Sequence, residues 1–148
     1  MRRVFGFRFS VFSLGLVVAF RLFEKLDVWK RACQLAVYVY ETLKENRDFG
    51  LKDQMQRAAV SIASNIAEGA ERGGKDFARF LRVARGSAAE LRPQAYIASR
   101  VEILPKETVN HIVEETKIIA RMLTSLANSI STENRKPKTE NRKLKTEN

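Results

Sequence analysis

Apolar residues recur every three or four positions through most of the chain. From Leu22 they run Leu22, Leu26, Trp29, Cys33, Ala36, Tyr40 and Leu43, alternating steps of four and three that keep one stripe of a helix turned to its partners. Turn-prone residues between Asn46 and Gly50 end this first predicted helix. A second runs from Leu51 to about Ala70, with Met55, Ala59, Ile62, Ile66 and Gly69 on one side. Gly69 and then Gly73 and Gly74 mark its end, as residues suited to a left-handed cap. The third starts near Lys75 and carries Phe77, Leu81, Ala84, Ala88, Leu91 and Ala95 towards Val101; Pro93 should kink it or at least remove one backbone bond. Pro105 opens the fourth, with Val109, Ile112, Thr116, Ile119, Leu123, Leu126 and Ile130 again stepping by three and four. With no period-two run between, the pattern predicts an all-α fold over residues 22–130, an antiparallel up-and-down four-helix bundle.

The flanks have a different character. Residues 131–148 repeat with a period of seven, Thr132, Thr139 and Thr146 being equivalent, in a composition too polar to form a core. The DNA unit GAAAACC read three times in succession encodes Glu-Asn-Arg-Lys-Pro-Lys-Thr, which is the stretch from Glu133 to Thr139, and one base change gives Leu144 in the next copy. Its complement GGTTTTC encodes Gly-Phe-Arg-Phe-Ser-Val-Phe, the stretch from Gly6 to Phe12. Residues 1–21 and 131–148 are therefore expected to be one short inverted repeat translated in both orientations, a non-core extension and a disordered basic tail, and if so the true start lies downstream at a non-AUG codon; the alternative is an amphipathic presequence plus a disordered tail. The apolar run from Val11 to Phe20 is too short to span a bilayer, and the expected place of the protein is the cytoplasm.

The chain has 148 residues and a net charge of +10, enough length for one domain with a real core. Residues 1–21 contribute +4, residues 22–130 only +3 from 17 basic and 14 acidic residues, and residues 131–148 another +3. Bulk charge thus overstates the basicity of the folded part. A single cysteine, Cys33, and a single histidine, His111, are too few for a zinc site, and no metal or cofactor is expected.

The stretch from Ser61 to Gly74 invites three chemical readings, and each fails on spacing. A phosphate loop needs GxxxxGK[ST] after a strand, but Asp76 follows Gly74-Lys75 at a helix–helix corner. A di-iron bundle needs Glu-x-x-His twice, and beside Glu68, Glu71 and Glu90 there is only His111, expected at the surface or half-buried. Ser61 and Ser64 have neither a base near them in sequence nor a Gly-x-Ser-x-Gly elbow. Polar groups on a small-residue helix more often bond across a helix interface, so Asn65 is read as a register pin and Glu68 as the partner of an arginine such as Arg57 or Arg85. Gly86, costly inside a helix, is read as a point of close approach by a helix or subunit. Trp29 and Tyr40 fall on the seam of the first helix and suit core packing or a subunit interface.

The motifs Leu26-x-Val28-Trp29, Gln54-x-x-Arg57-Ala58-Ala59-x-Ser61-Ile62-x-x-Asn65-Ile66-Ala67-Glu68-Gly69, Phe80-Leu81 and Ala84-Arg85-Gly86-Ser87-x-x-Glu90-Leu91 resemble those of the four-helix bundle proteins encoded in intervening sequences of bacterial 23S ribosomal RNA genes. The likeness runs from about Phe23 to Ile130; Ala63, where the family usually has proline, and Pro93 depart from it. The resemblance implies a left-handed bundle that associates with itself in a ring, as a homopentamer, with no established enzymatic activity. The chain is also similar to the accessory bundle proteins of diversity-generating retroelements, whose basic barrels bind a reverse transcriptase and nucleic acid.

On that footing the outward cations are the candidate binding groups. Lys75, Arg79 and Arg82 step by four and three opposite the apolar stripe of the third helix, with Arg72 just before it. Five copies would multiply these contacts to a polyanion. The expected partners are the chain itself, RNA or DNA, and a nucleic-acid-handling protein such as a reverse transcriptase or ribosomal component. A purely structural, mobile-element-linked protein without nucleic-acid contact is the alternative.

Overall fold

A computed structural model describes residues 22–134; both translated-repeat expectations fall almost wholly outside that span. A single 3-10 turn, Phe23–Lys25, leads into α1 (Asp27–Thr42), followed by α2 (Phe49–Arg72), α3 (Gly74–Arg100) and α4 (Lys106–Glu133). Each helix packs on the next in sequence and α4 returns to α1, so the four rods close an up-and-down bundle as predicted, and the described residues contain no strand. No described helix is long and apolar enough to cross a membrane.

Local chemistry sets the ends. The Asp48 carboxylate caps α2 by accepting from the Leu51 N–H at 3.1 Å, and its own N–H donates to the Asn46 side chain at 2.8 Å, satisfying donors that the first helical turn leaves free. Gly73, at φ 69° and ψ −172°, is the whole connection between α2 and α3, a conformation open only to glycine. Gly74 follows at φ 55°. At the end of α3 the N–H of Ile103 donates to Ala98 O at 2.8 Å and that of Glu102 to Ser99 O at 3.2 Å, a Schellman closure whose left-handed position is filled by Glu102, at φ 60°.

The core is made of the predicted stripes of α2, α3 and α4: Ile62, Ile66, Phe77, Leu81, Leu91, Ile112, Ile119 and Leu123 are all essentially inaccessible. α1 differs from expectation. Its buried side is Val28, Ala32, Leu35, Ala36, Val39 and Leu43, so that of the predicted stripe Ala36 and Leu43 are buried, whereas Leu26, Trp29 and Cys33 are half-buried and Leu22 and Tyr40 are exposed. The helix has two apolar sides, and the chain's own core takes only one. α3 also runs unbroken through Pro93, which lies exposed. The bond it forgoes would have gone to the carbonyl of Ala89, itself on the solvent side, where water can satisfy it.

Candidate nucleic-acid interface

Arg72, Lys75, Arg79 and Arg82 are all exposed, but their partners divide them. Arg72 donates to Glu68 Oε1 at 2.8 and 3.2 Å and lies 4.0 Å from Asp76, while Arg79 donates to the other Asp76 oxygen at 3.4 Å. Both guanidinium groups cover the Phe80 ring, at 5.1 and 4.5 Å from its centre. This is a clasp over the α2–α3 turn, in which two of the four candidate cations are half neutralised by carboxylates one turn away. Lys75 and Arg82 have no carboxylate partner among the described residues.

The clasp corrects several expectations. Glu68 pairs with Arg72, not with Arg57 or Arg85: Arg57 lies eleven residues back along α2, about 16 Å at the helical rise, and pairs with Asp53 at 2.9 Å. Arg85 turns to the opposite flank of α3. Asn65 donates to the carbonyl and hydroxyl of Ser61, at 2.8 and 3.0 Å, within its own helix. The bond that crosses to α3 is Ser61 Oγ to Ser87 Oγ, at 2.9 Å, with Asn65 holding Ser61 in place. Gly69 is an interior residue, not a cap: a Cβ there would lie 2.6 Å from Phe80 Cβ, so it lets α2 and α3 touch.

Cations without acidic partners gather where α3 meets α4. Between Asp76 and Glu102 the only carboxylate is Glu90, and between Glu115 and Glu133 there is none. Arg82, Arg85, Arg92 and Arg100 recur along one edge of α3, at three- or four-residue steps interrupted by Ala89 and Tyr96. Arg85 Nη1 donates to Thr124 Oγ1 on α4 at 3.1 Å, which fixes the flank on which this edge lies. A shallow groove there is lined by Arg82, Arg85, Thr124 and Asn128, and a neighbouring one by Arg121, Thr124, Ser125 and Asn128. Just outside it, the hydrogen bond from Lys117, its charge, and the charge of Arg121 hold the Glu114 carboxyl below the usual range. The groove therefore offers guanidinium, hydroxyl and amide donors with one carboxylate at its rim. Arg92, Arg100, Arg121 and Tyr96 were not singled out from the sequence; the acid-free runs that contain them were the available signal.

Apolar surface gathers elsewhere. Val37 and Tyr40 on the second side of α1 are 56% and 48% exposed, and Val60 on α2 is also exposed. Along the α2-facing edge of α3 lie exposed Val83, Gly86, Ile97 and Val101. Among the described residues no atom comes within 4 Å of a Cβ built at Gly86, so no close approach among them explains it. Glu90, exposed beside it, accepts a long 3.5 Å bond from Gln94, whose own Oε1 is buried without a partner. Trp29 packs edge-on against Phe23, ring centres 5.1 Å apart. His111 is exposed, as expected, and stands edge-on to Tyr38 with ring centres 4.5 Å apart.

Comparison with known proteins places this geometry. A family model described as 23S rRNA-intervening sequence protein matches residues 24–125. A search of the curated proteins found no match. Among solved structures, the chain is similar to a protein of unknown function from the S23 ribosomal protein family of Bacteroides thetaiotaomicron VPI-5482. The two share 26% identity and a TM-score of 0.63, over 68% of this chain and 97% of that one.

Proposed function

The chain belongs to the 23S rRNA-intervening sequence protein family, and on that premise we propose that it is a non-enzymatic, self-associating bundle in the cytoplasm that binds nucleic acid along the α3–α4 groove. The observation that carries this reading is the row Arg82, Arg85, Arg92 and Arg100, none of them in an ion pair among the described residues, with Arg82 and Arg85 sharing a groove with Thr124 and Asn128 of α4. Guanidinium groups free of carboxylates keep their full charge for phosphate and release counterions when it binds. Relative to the patch expected from sequence, Arg82 stays, and Arg72 and Arg79 belong to the clasp.

Self-association is supported by the two unpartnered apolar surfaces. One spans α1 and α2 through Val37, Tyr40 and Val60; the other follows α3 through Val83, Gly86 and Ile97. Two different surfaces on one chain suit a head-to-tail contact, which closes into a ring when the rotation allows; the ring proposed is a pentamer. Such a ring leaves the α3–α4 groove of each copy outward and multiplies its affinity for a long polyanion. An adaptor role, holding a reverse transcriptase or ribosomal component beside its nucleic acid, fits the same surface.

The test is retention of a short labelled RNA by three proteins starting at Leu22 and ending at Glu133, so that the basic flanks are absent. Arg82→Ala/Arg85→Ala/Arg92→Ala should lose most of the binding of the parent protein, and Arg72→Ala/Arg79→Ala little of it. Equal losses would take the binding away from the α3–α4 groove in particular, and no binding by the parent would leave the structural role without nucleic-acid contact.

A further inference from the structure

Tyr96 sits in the middle of the basic edge, four residues after Arg92 and four before Arg100. It is 51% exposed, and among the described residues its ring stacks on no other ring or cation and its hydroxyl bonds to nothing. Four-residue spacing places Arg92, Tyr96 and Arg100 on one line of the helix surface, with about 6 Å between neighbours. A half-exposed aromatic ring between two unpaired guanidinium groups is the arrangement that holds an unpaired base, with its phosphates on the cations and its face on the ring. In a duplex that face is already covered by the neighbouring base pairs, and A-form or B-form geometry offers the ring only edges and phosphates.

We infer that the groove takes a single strand of nucleic acid in preference to a duplex, with one base stacked on Tyr96 between phosphates held by Arg92 and Arg100. This inference rests on the proposed function but adds a ligand class to it. Stacking on an aromatic platform tolerates any base, so sequence preference along the strand is weak.

The experiment uses the full chain and fluorescence anisotropy with one labelled RNA, alone and annealed to its complement. Tyr96→Ala should weaken single-strand binding roughly tenfold or more and leave duplex binding as it was; Tyr96→Phe, which keeps the ring, should match the parent. Circular dichroism monitors the fold of each variant. If Tyr96→Ala weakens single strand and duplex alike, or Tyr96→Phe is as weak as Tyr96→Ala, the stacking assignment is wrong. Tighter binding of the duplex by the parent also overturns it. Arg82→Ala/Arg85→Ala separates the two levels: if it leaves both ligands unaffected the groove itself is not the binding surface, whereas if it weakens both while Tyr96→Ala weakens neither, the groove stands and the stacked base does not.

Discussion

Arg31 on α1 and Glu115 on α4 face each other in two parallel hydrogen bonds, Nε to Oε2 at 2.8 Å and Nη2 to Oε1 at 3.0 Å. This ion pair joins the first helix to the last, where no loop connects them. The hydrogen bonds that Arg31 donates to Glu115, more than the charge of that carboxylate, raise the Arg31 guanidinium above the ordinary arginine value against the opposing effect of burial. A raised cation contributes stability throughout the range below that ordinary value and loses it only as pH climbs past the folded one, so the Arg31 contribution persists from neutral to mildly alkaline pH. The side chains are 39% and 18% exposed, which discounts the fork to about 1 kcal/mol. A double-mutant cycle of Arg31→Ala and Glu115→Ala in urea should return that coupling, unchanged between neutral and mildly alkaline buffer.

Two glycines of adjacent helices should respond oppositely to one added methyl. Gly69→Ala drives a Cβ to 2.6 Å from that of Phe80 and 3.3 Å from a backbone oxygen, and should destabilise the bundle by about 1–3 kcal/mol. Gly86→Ala meets nothing within 4 Å and should stabilise the dissociated chain by about 0.5–1 kcal/mol. Chemical unfolding at low protein concentration measures both.

The apolar α3 edge gives a prediction about assembly. Ile97→Asp replaces an exposed side chain, so the folded chain should tolerate it, while sedimentation should show the variant shifted to the monomer. A variant that sediments as the parent does would move the contact away from this edge.

Glu102 holds a left-handed conformation at φ 60° with a side chain that gains nothing from it. Glu102→Gly should therefore stabilise the protein by about 1 kcal/mol, seen as a higher urea midpoint with unchanged slope.

Burial pushes the Cys33 thiol above its ordinary value, so little of it is thiolate at neutral pH. Alkylation should be slower in the folded chain than in urea, and the two rates should converge as pH rises past the folded value.

Helix existence was legible because buried positions of α2, α3 and α4 alternate three and four apart with few competing apolar residues. The helix α1 was legible too, but not its buried side: Leu26, Trp29, Cys33 and Tyr40 follow as regular a spacing as Val28, Leu35 and Val39, and periodicity alone cannot say which stripe the chain buries and which it leaves exposed. The Arg72–Asp76–Arg79 clasp was visible in its spacing of four and three, but counting only the cations hid it. The groove required knowing that Arg85 meets Thr124, thirty-nine residues away. Until α3 and α4 are set side by side, Arg82, Arg92 and Arg121 are separate surface charges. Gly86 could be recognised as costly from sequence, and in the fold nothing among the described residues repays that cost.

The most direct test of nucleic-acid binding by the α3–α4 groove is the salt dependence of single-strand RNA affinity for the protein spanning residues 22–134, with and without Arg82→Ala/Arg85→Ala/Arg92→Ala. Binding at the groove predicts a steep fall in affinity with salt for the parent and a log–log slope shallower by about 2 in the variant, for three lost phosphate contacts. Identical slopes for the two proteins would contradict it.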